Sequence, residues 1–329
     1  EAADENYVDE KTGKVIPSVG SADGTSLPDD EKEVENTKEN VEEQDMAQDQ
    51  TLKDTDSKEA AAVADGKVVT FAREKLDDFD YLIQNFYQVD NTTTIGSAQL
   101  NADALLGKDV RLSHDASTPQ ILIYHTHSQE TFSDSVAGDP TTTIVGVGDY
   151  LTELLTQKYG YQVIHDTSVY DYVDGKLDRS KAYTYAEEGI AKILQENPSI
   201  EVVIDLHRDG VAETTHLLTE VDGKKMAKIM FFNGLSYSRV NGDIGYLYNP
   251  YRDDNLAMSL QMQLIGKAYY PDFLRNIYVN AYRYCLHERG RSMLIEAGAQ
   301  TNTVEEVKNA MEPLADILNK FLSGEKVYE

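Results

Sequence analysis

Three stretches of this chain are continuously apolar for a few residues and then turn abruptly polar: "ILIY" runs into "HTHSQE", "VVI" into "DLHRDG" and "MLI" into "EAG". Short unbroken apolar runs of this kind predict strands buried on both faces of a parallel sheet. Between them, apolar residues recur at helical spacing across 146–159 ("GVGDYLTELLTQKY"), 180–198 ("SKAYTYAEEGIAKILQENP"), 253–270 ("DDNLAMSLQMQLIGKAYY") and 303–324 ("TVEEVKNAMEPLADILNKFLSG"). Further strands are predicted at "QILIYHTH", "YQVIHDT", "IEVVIDLH", "NIYVNAYRYCL" and "SMLIEAG". The stretch "HLLTEVDGKKMAKIMFFNG" predicts a hairpin turning at Asp222-Gly223. Repeated strand–helix–strand units imply an α/β fold: an open, mostly parallel sheet with helices on both faces.

Ahead of this domain the pattern changes twice. "GKVVTF" reads as a short strand, "AREKLDDFDYLIQNFYQV" as one amphipathic helix with Leu76, Phe79, Leu82 and Phe86 on its apolar face, and "LNADALLGKDVRL" as another short helix. Residues 1–65 carry almost no large apolar side chains, and acidic residues outnumber lysines there by roughly three to one. Such a segment buries too little surface to offset its ordering entropy and is expected to be a disordered acidic tether. The expected organisation is therefore a tether at 1–65, a lead-in subdomain at 66–118 and a catalytic α/β domain at 119–325.

Charge narrows the partners. A formal net charge of −28, with no basic patch, repels nucleic acid and anionic lipid. No apolar run reaches membrane-spanning length, so the chain as given is expected to be soluble and to meet a membrane only through an anchor that it lacks. The single cysteine, Cys285, allows no internal disulfide and reads as a packed strand residue. The chain has 21 tyrosines and no tryptophan, which suits either strand packing or a surface that grips extended polar ligands.

In open α/β sheets, ligands bind beyond the carboxyl ends of the strands. Here three strand ends carry ligand or acid–base side chains: His125, His127 and Glu130; His207; and Glu296. His127 and Glu130 form an H-x-x-E spacing where the chain leaves the sheet, so an imidazole and a carboxylate can face one Zn²⁺, with His207 as third ligand and Glu296 as the off-metal carboxylate that handles the proton. The two histidines of "HTH" compete for one ligand role, and His127 is favoured because it completes H-x-x-E. His125, Arg208, Asp209 and His287 are candidates for contacts behind the ligands or with substrate, and Asp205 or Asp209 for orienting a ligand imidazole. His114 and His165 read as structural or solvent-facing, and His216 as opening the hairpin. There is no Gly-rich phosphate loop and no G-x-S-x-G elbow.

With "IYHTHSQE", "DLHRDG" and "LIEAGAQTNTVEEV" in this order, the chain resembles the stage II sporulation protein P family over about Pro119 to Leu322. That family is related in fold to zinc-dependent N-acetylmuramoyl-L-alanine amidases and, more distantly, to zinc carboxypeptidases. The resemblance implies a peptidoglycan hydrolase that cleaves between N-acetylmuramic acid and the L-alanine of the stem peptide, with cross-link endopeptidase action as a second activity. It implies His127, Glu130 and His207 as Zn²⁺ ligands, Glu296 as general base, and partnership with sporulation proteins D and M. The expected place is outside the cytoplasm, on the mother-cell membrane facing the forespore, during septal thinning and engulfment. One departure stands out: the amidases usually carry their glutamate ligand at the start of the following helix, where this chain reads "TTIVGVGDYL". Two rival readings are a zinc carboxypeptidase acting on stem peptides and a non-catalytic peptidoglycan-binding scaffold.

Overall fold

The computed structural model describes residues 68–173, 176–179 and 181–329, and separately a two-residue antiparallel ladder between Tyr7–Val8 and Val15–Ile16 that belongs to a unit of its own. The rest of the expected tether lies outside the described residues. The apolar runs do become strands. Numbered along the chain, the elements used below are β1 (Tyr87–Val89), β2 (Ile121–Tyr124), β3 (Val163–His165), β4 (Val202–Asp209), β5 (Leu218–Val221), β6 (Lys224–Ala227), β7 (Ile229–Gly234), β8 (Ile277–Asn280) and β9 (Ser292–Ala299). The helices are α1 (Phe79–Phe86), α2 (Ala102–Leu106), α3 (Ile144–Glu153), α4 (Ala182–Glu196), α5 (Arg252–Tyr269) and α6 (Val304–Leu322).

Seven strands form one sheet in the order β1-β8-β7-β9-β4-β2-β3. Every neighbouring pair is parallel except β7 with β9. The sheet is thus two parallel blocks of opposite direction, and the carboxyl ends of β2, β4 and β9 lie along one edge. Side chains alternate between faces as the pleat requires. Ile121, Ile123, Val202, Ile204, Met293 and Ile295 enter the large core shared with α3, α5 and α6; Leu122, Tyr124 and Val203 enter a second cluster with Ala186, Ile190 and Leu194 of α4. Helices cover both faces, as the sequence pattern predicts.

The local differences have physical causes. Of "GKVVTF", Gly66 and Lys67 lie outside the described residues, and among the rest the bridge of Phe71 with Tyr328 is isolated. The helix expected over 72–89 is broken at Asp78, whose carboxylate accepts from the backbone N–H of Asp80 and Tyr81 and so starts α1 afresh. Its last residues, Tyr87–Val89, instead extend as edge strand β1 beside β8. Through Leu76, Leu82, Phe86, Leu105 and Leu106 the lead-in segment joins the large core. The β5–β6 hairpin turns at Asp222-Gly223 as expected, both with positive φ, but β7 then leaves it to join the main sheet. The strand expected over "NIYVNAYRYCL" ends at Asn280. Tyr284 and Cys285 have φ of 50° and 55°, so Cys285 is a buried turn residue rather than a strand residue. Among the described residues no helix is long and apolar enough to cross a membrane.

Candidate active site

Strand β2 stops at Tyr124, three residues earlier than the apolar run plus "HTH" suggests, while β4 continues to Asp209. The ladder between them ends at Tyr124 opposite Asp205. Beyond that point side chains take over from the backbone. Thr126 donates from N to Asp205 Oδ1 (2.9 Å) and from Oγ1 to Asp205 Oδ2 (2.6 Å), and His125 Nδ1 meets the Leu206 carbonyl at 2.7 Å. Because the chain has already turned off the sheet, His125 and His127 do not share a face. His125 faces α3, where a Cβ on Gly148 would stand 2.7 Å from its Nε2. His127 packs edge-on against Tyr183 of α4, with ring centroids 5.6 Å apart.

A turn closed by Glu130 N–H to His127 O at 3.3 Å brings the H-x-x-E pair round to β4. His127 and His207 meet edge-to-face with centroids 5.3 Å apart, and His207 Nδ1 lies 3.7 Å from Glu130 Oε2. Glu296 stands beside His207 in the β4–β9 register. All four side chains are almost completely buried. Glu130 accepts from the Arg208 backbone N–H at 2.9 Å and from Arg179 Nη2 at 3.2 Å. His207 Nε2 lies 2.8 Å from Asp205 Oδ1, whereas His127 Nδ1 and both oxygens of Glu296 are buried without a hydrogen-bond partner.

Charge in this pocket is strongly coupled to burial. Burial, assisted by the cation of Arg179, holds the His127 imidazole well below its ordinary range. For His207 burial acts in the same direction, but Asp205 and Glu130 outweigh it and hold the imidazolium well above that range. Burial opposes ionisation of Glu130, yet the contact with His207 and the cations of Arg208 and Arg179 keep its carboxyl far below the usual value. For Glu296 burial, reinforced by Asp209, outweighs the charges of His207 and Arg275 and pushes it up to about 8. The pocket therefore contains one carboxylate built to stay charged and one poised to exchange a proton near neutrality.

The remaining predicted residues lie around this group in different ways. The guanidinium of Arg208 donates to the carbonyls of Thr131 (3.0 Å) and Asp209 (3.1 Å). Asp209 pairs with Arg275 at 2.5 Å. His287 sits with Glu187 (3.3 Å) and Glu288 (2.9 Å), and Arg283 pairs with the same Glu187 at 2.7 Å. Among the described residues this trio is the group whose donor atoms all lie within 4.8 Å of one another; His127, Glu130 and His207 are spread more widely. His114 and His216 pair with Glu201 and Glu306 at the surface. The thiol of Cys285 is buried and pushed well up by that burial, which agrees with a packing residue.

Sequence reasoning missed Arg179, Tyr183 and Asp171. Asp171 holds the "HTHSQE" turn by accepting from Ser128 Oγ (3.1 Å) and Gln129 N (3.3 Å), and lies 4.0 Å from His127 Nδ1. These three residues come from the β3–α4 connection and the first turn of α4, where no apolar run points to them. His165 is different: it ends β3 as His125 follows β2, and that repeated signal was available.

The description Stage II sporulation protein P (SpoIIP) belongs to a family model that matches residues 7–319. The stage II sporulation protein P of Bacillus subtilis (strain 168) is 21% identical over 224 residues, covering 63% of this chain and 52% of that protein. The match thus spans about half the length of that curated relative. Among solved structures, the chain is similar to the N-acetylmuramoyl-L-alanine amidase AmiC2 of Nostoc punctiforme (12% identity, 62% of this chain and 95% of that one, TM-score 0.38). A similar likeness links it to an N-acetylmuramoyl-L-alanine amidase from Clostridium difficile 630 (15% identity, 63% and 95%, TM-score 0.38). At such identities and scores these structural likenesses are distant.

Proposed function

The chain belongs to the stage II sporulation protein P family, and from that premise we propose that it is a peptidoglycan hydrolase of sporulation that uses zinc to cleave the amide between N-acetylmuramic acid and L-alanine. The observation that carries this reading is the convergence of buried His127, His207 and Glu130 at one sheet edge beside Glu296, whose two oxygens have no partner. Leaving such atoms unsatisfied costs about 1–3 kcal/mol each, and they lie beside the charged carboxylate of Glu130. Two imidazoles and a carboxylate suit Zn²⁺ with one position open to water or substrate. His127, His207 and Glu130 are the residues that would hold the ion. Zinc, when bound, supplies Lewis acidity for amide hydrolysis.

The chain's own residues supply the rest. Asp205 meets His207 at Nε2 (2.8 Å), which leaves Nδ1, on the Glu130 side, as the nitrogen that would face the ion. Glu296, without a hydrogen-bond partner, is free to take the proton of the attacking water and return it to the departing nitrogen. Arg179 and Arg208 keep Glu130 ionised. The carboxypeptidase alternative needs an arginine aimed at a terminal carboxylate. It draws less support, because Arg208, Arg283 and Arg289 are engaged by carbonyls or by Glu187. Cross-link endopeptidase action, cooperation with sporulation proteins D and M, and an anchored position between mother cell and forespore belong to the same proposal and rest on family membership.

The test is metal analysis together with digestion of purified peptidoglycan, followed by mass spectrometry of the released fragments. The reading expects one zinc per chain and stem peptides with a free L-alanine amine. Peptidoglycan that is bound but left uncut, by a protein free of metal, would establish the scaffold reading instead.

A further inference from the structure

Outside the group assigned to catalysis lies a second pair of histidines. His125 is fully buried, and its Nε2 stands 2.8 Å from His165 Nε2; His165 Nδ1 in turn lies 2.9 Å from Asp149 Oδ1 on α3. On its other side, His125 Nδ1 meets the Leu206 carbonyl at 2.7 Å. The chain Asp149–His165–His125–Leu206 therefore runs from an exposed carboxylate to the backbone one residue before His207. Room for it is made by Gly148: a Cβ there would stand 2.6 Å from His165 Nε2 and 2.7 Å from His125 Nε2.

Counting hydrogens fixes one feature of the chain. A carbonyl only accepts, so His125 Nδ1 must carry a hydrogen. With that nitrogen protonated, the Nε2 of a neutral His125 is an acceptor, and His165 Nε2 is the donor across the 2.8 Å contact. His165 Nδ1 then faces a carboxylate. Because the Asp149 carboxylate accepts from His165 Nδ1, the three contacts need one proton more than two neutral imidazoles carry; on whichever Nε2 it sits, the Nδ1–H to Leu206 is unchanged.

The place where this bond falls gives it a consequence. The β2–β4 ladder ends at Tyr124 and Asp205, so the Leu206 carbonyl has no strand partner on that side, and the next side chain on β4 is His207. We propose that His125 and His165 are positioning residues: the Leu206 carbonyl sets the Nδ1–H form of His125, His165 holds the ring in place from its Nε2 side, and His125 prolongs the β2–β4 ladder by one bond, fixing the backbone that aims His207 into the site. The consequence for activity rests on the amidase reading; the tautomer does not.

The experiment uses the full chain with ¹⁵N-labelled histidine, comparing wild type, His165→Leu and His165→Gln by long-range imidazole NMR, zinc titration and peptidoglycan turnover. In the wild type, His125 is expected in the Nδ1–H form. His165→Leu should keep the Nδ1–H form, which the Leu206 carbonyl sets, but bind zinc about 10-fold more weakly and lower kcat rather than raise KM. His165→Gln, whose amide still donates to His125 Nε2, should restore affinity and kcat. An Nε2–H form of His125 in the wild type overturns the proposal, as does a His165→Leu variant with unchanged zinc affinity. A wild type that binds zinc but cuts no peptidoglycan would defeat the amidase reading alone, because tautomer and affinity would still decide this one.

Discussion

Glu296 stands in register beside His207 on neighbouring parallel strands, yet its two buried carboxylate oxygens have no hydrogen-bond partner. A carboxyl in that position is raised to about 8, against an unfolded value of about 4.5. Across that interval the folded chain binds more protons than the unfolded one, so the metal-free protein loses stability as pH rises from about 4.5 towards 8. Glu296→Gln cannot ionise and escapes that loss. Melting curves of the metal-free proteins should show the variant gaining on wild type as pH rises towards 8 and holding a constant difference below 4.5. With zinc present the same variant should keep its metal and lose about 10²–10⁴-fold in kcat. Loss of metal on this substitution would make Glu296 a ligand.

The "HTH" pair separates into two tasks in space, and metal binding should separate with it. His127 packs edge-to-face with His207 and its Nδ1 has no hydrogen-bond partner, whereas both ring nitrogens of His125 are engaged elsewhere. His127→Ala and His207→Ala are expected to carry no zinc after dialysis. His125→Ala should still bind it, about 10- to 100-fold more weakly. Equilibrium titration with a competing chelator measures this; a His125→Ala protein devoid of zinc beside a His127→Ala protein that retains it would reverse the assignment.

Gly298 explains why "EAG" follows the apolar run of β9. The β4–β9 register shifts between Glu296 and Ala299, and Gly298 takes φ +64° at that irregularity. A Cβ there would stand 2.8 Å from the Ala227 Cβ and 2.9 Å from Asn302 Oδ1, the atom that accepts from Ala299 N. Gly298→Ala should cost about 1–3 kcal/mol in chemical denaturation and reduce turnover, since the strained segment begins two residues after Glu296. An unchanged midpoint would show that the bulge relaxes freely.

The parallel sheet, its two helical layers and the edge that bears His127, His207 and Glu296 were legible because each depends on local pattern: apolar runs, their polar ends, and Asp222-Gly223 at a hairpin. What escaped depends on where strands stop. The "ILIYHTH" run looks uniform in sequence, but β2 ends at Tyr124, and that one boundary sends His125 to α3 and His127 to α4. The α1 boundary failed for a related reason, since the Asp78 cap interrupts an otherwise continuous apolar stripe. Arg179 and Asp171 reach the site from a connection with no periodic signal, so only tertiary packing reveals them.

Glu201 gives a prediction remote from the site. At the start of β4 it accepts from the backbone N–H groups of Ser113 (2.7 Å) and His114 (2.8 Å) and from Arg291 Nη1 (2.9 Å), joining the segment ahead of β2 to the start of β9. Burial opposes its ionisation, but these donors together hold its carboxyl down at about 2. A carboxyl depressed on folding adds stability above its unfolded value of about 4.5, and that stability is lost as pH falls towards 2. Allowing for screening at this half-open position, the contribution is about 1–2 kcal/mol. Glu201→Gln should therefore unfold at lower urea than wild type at pH 7, with the gap closing between pH 4.5 and 2. A gap that stays constant down to pH 2 would mean that the loss comes from packing rather than from the charge.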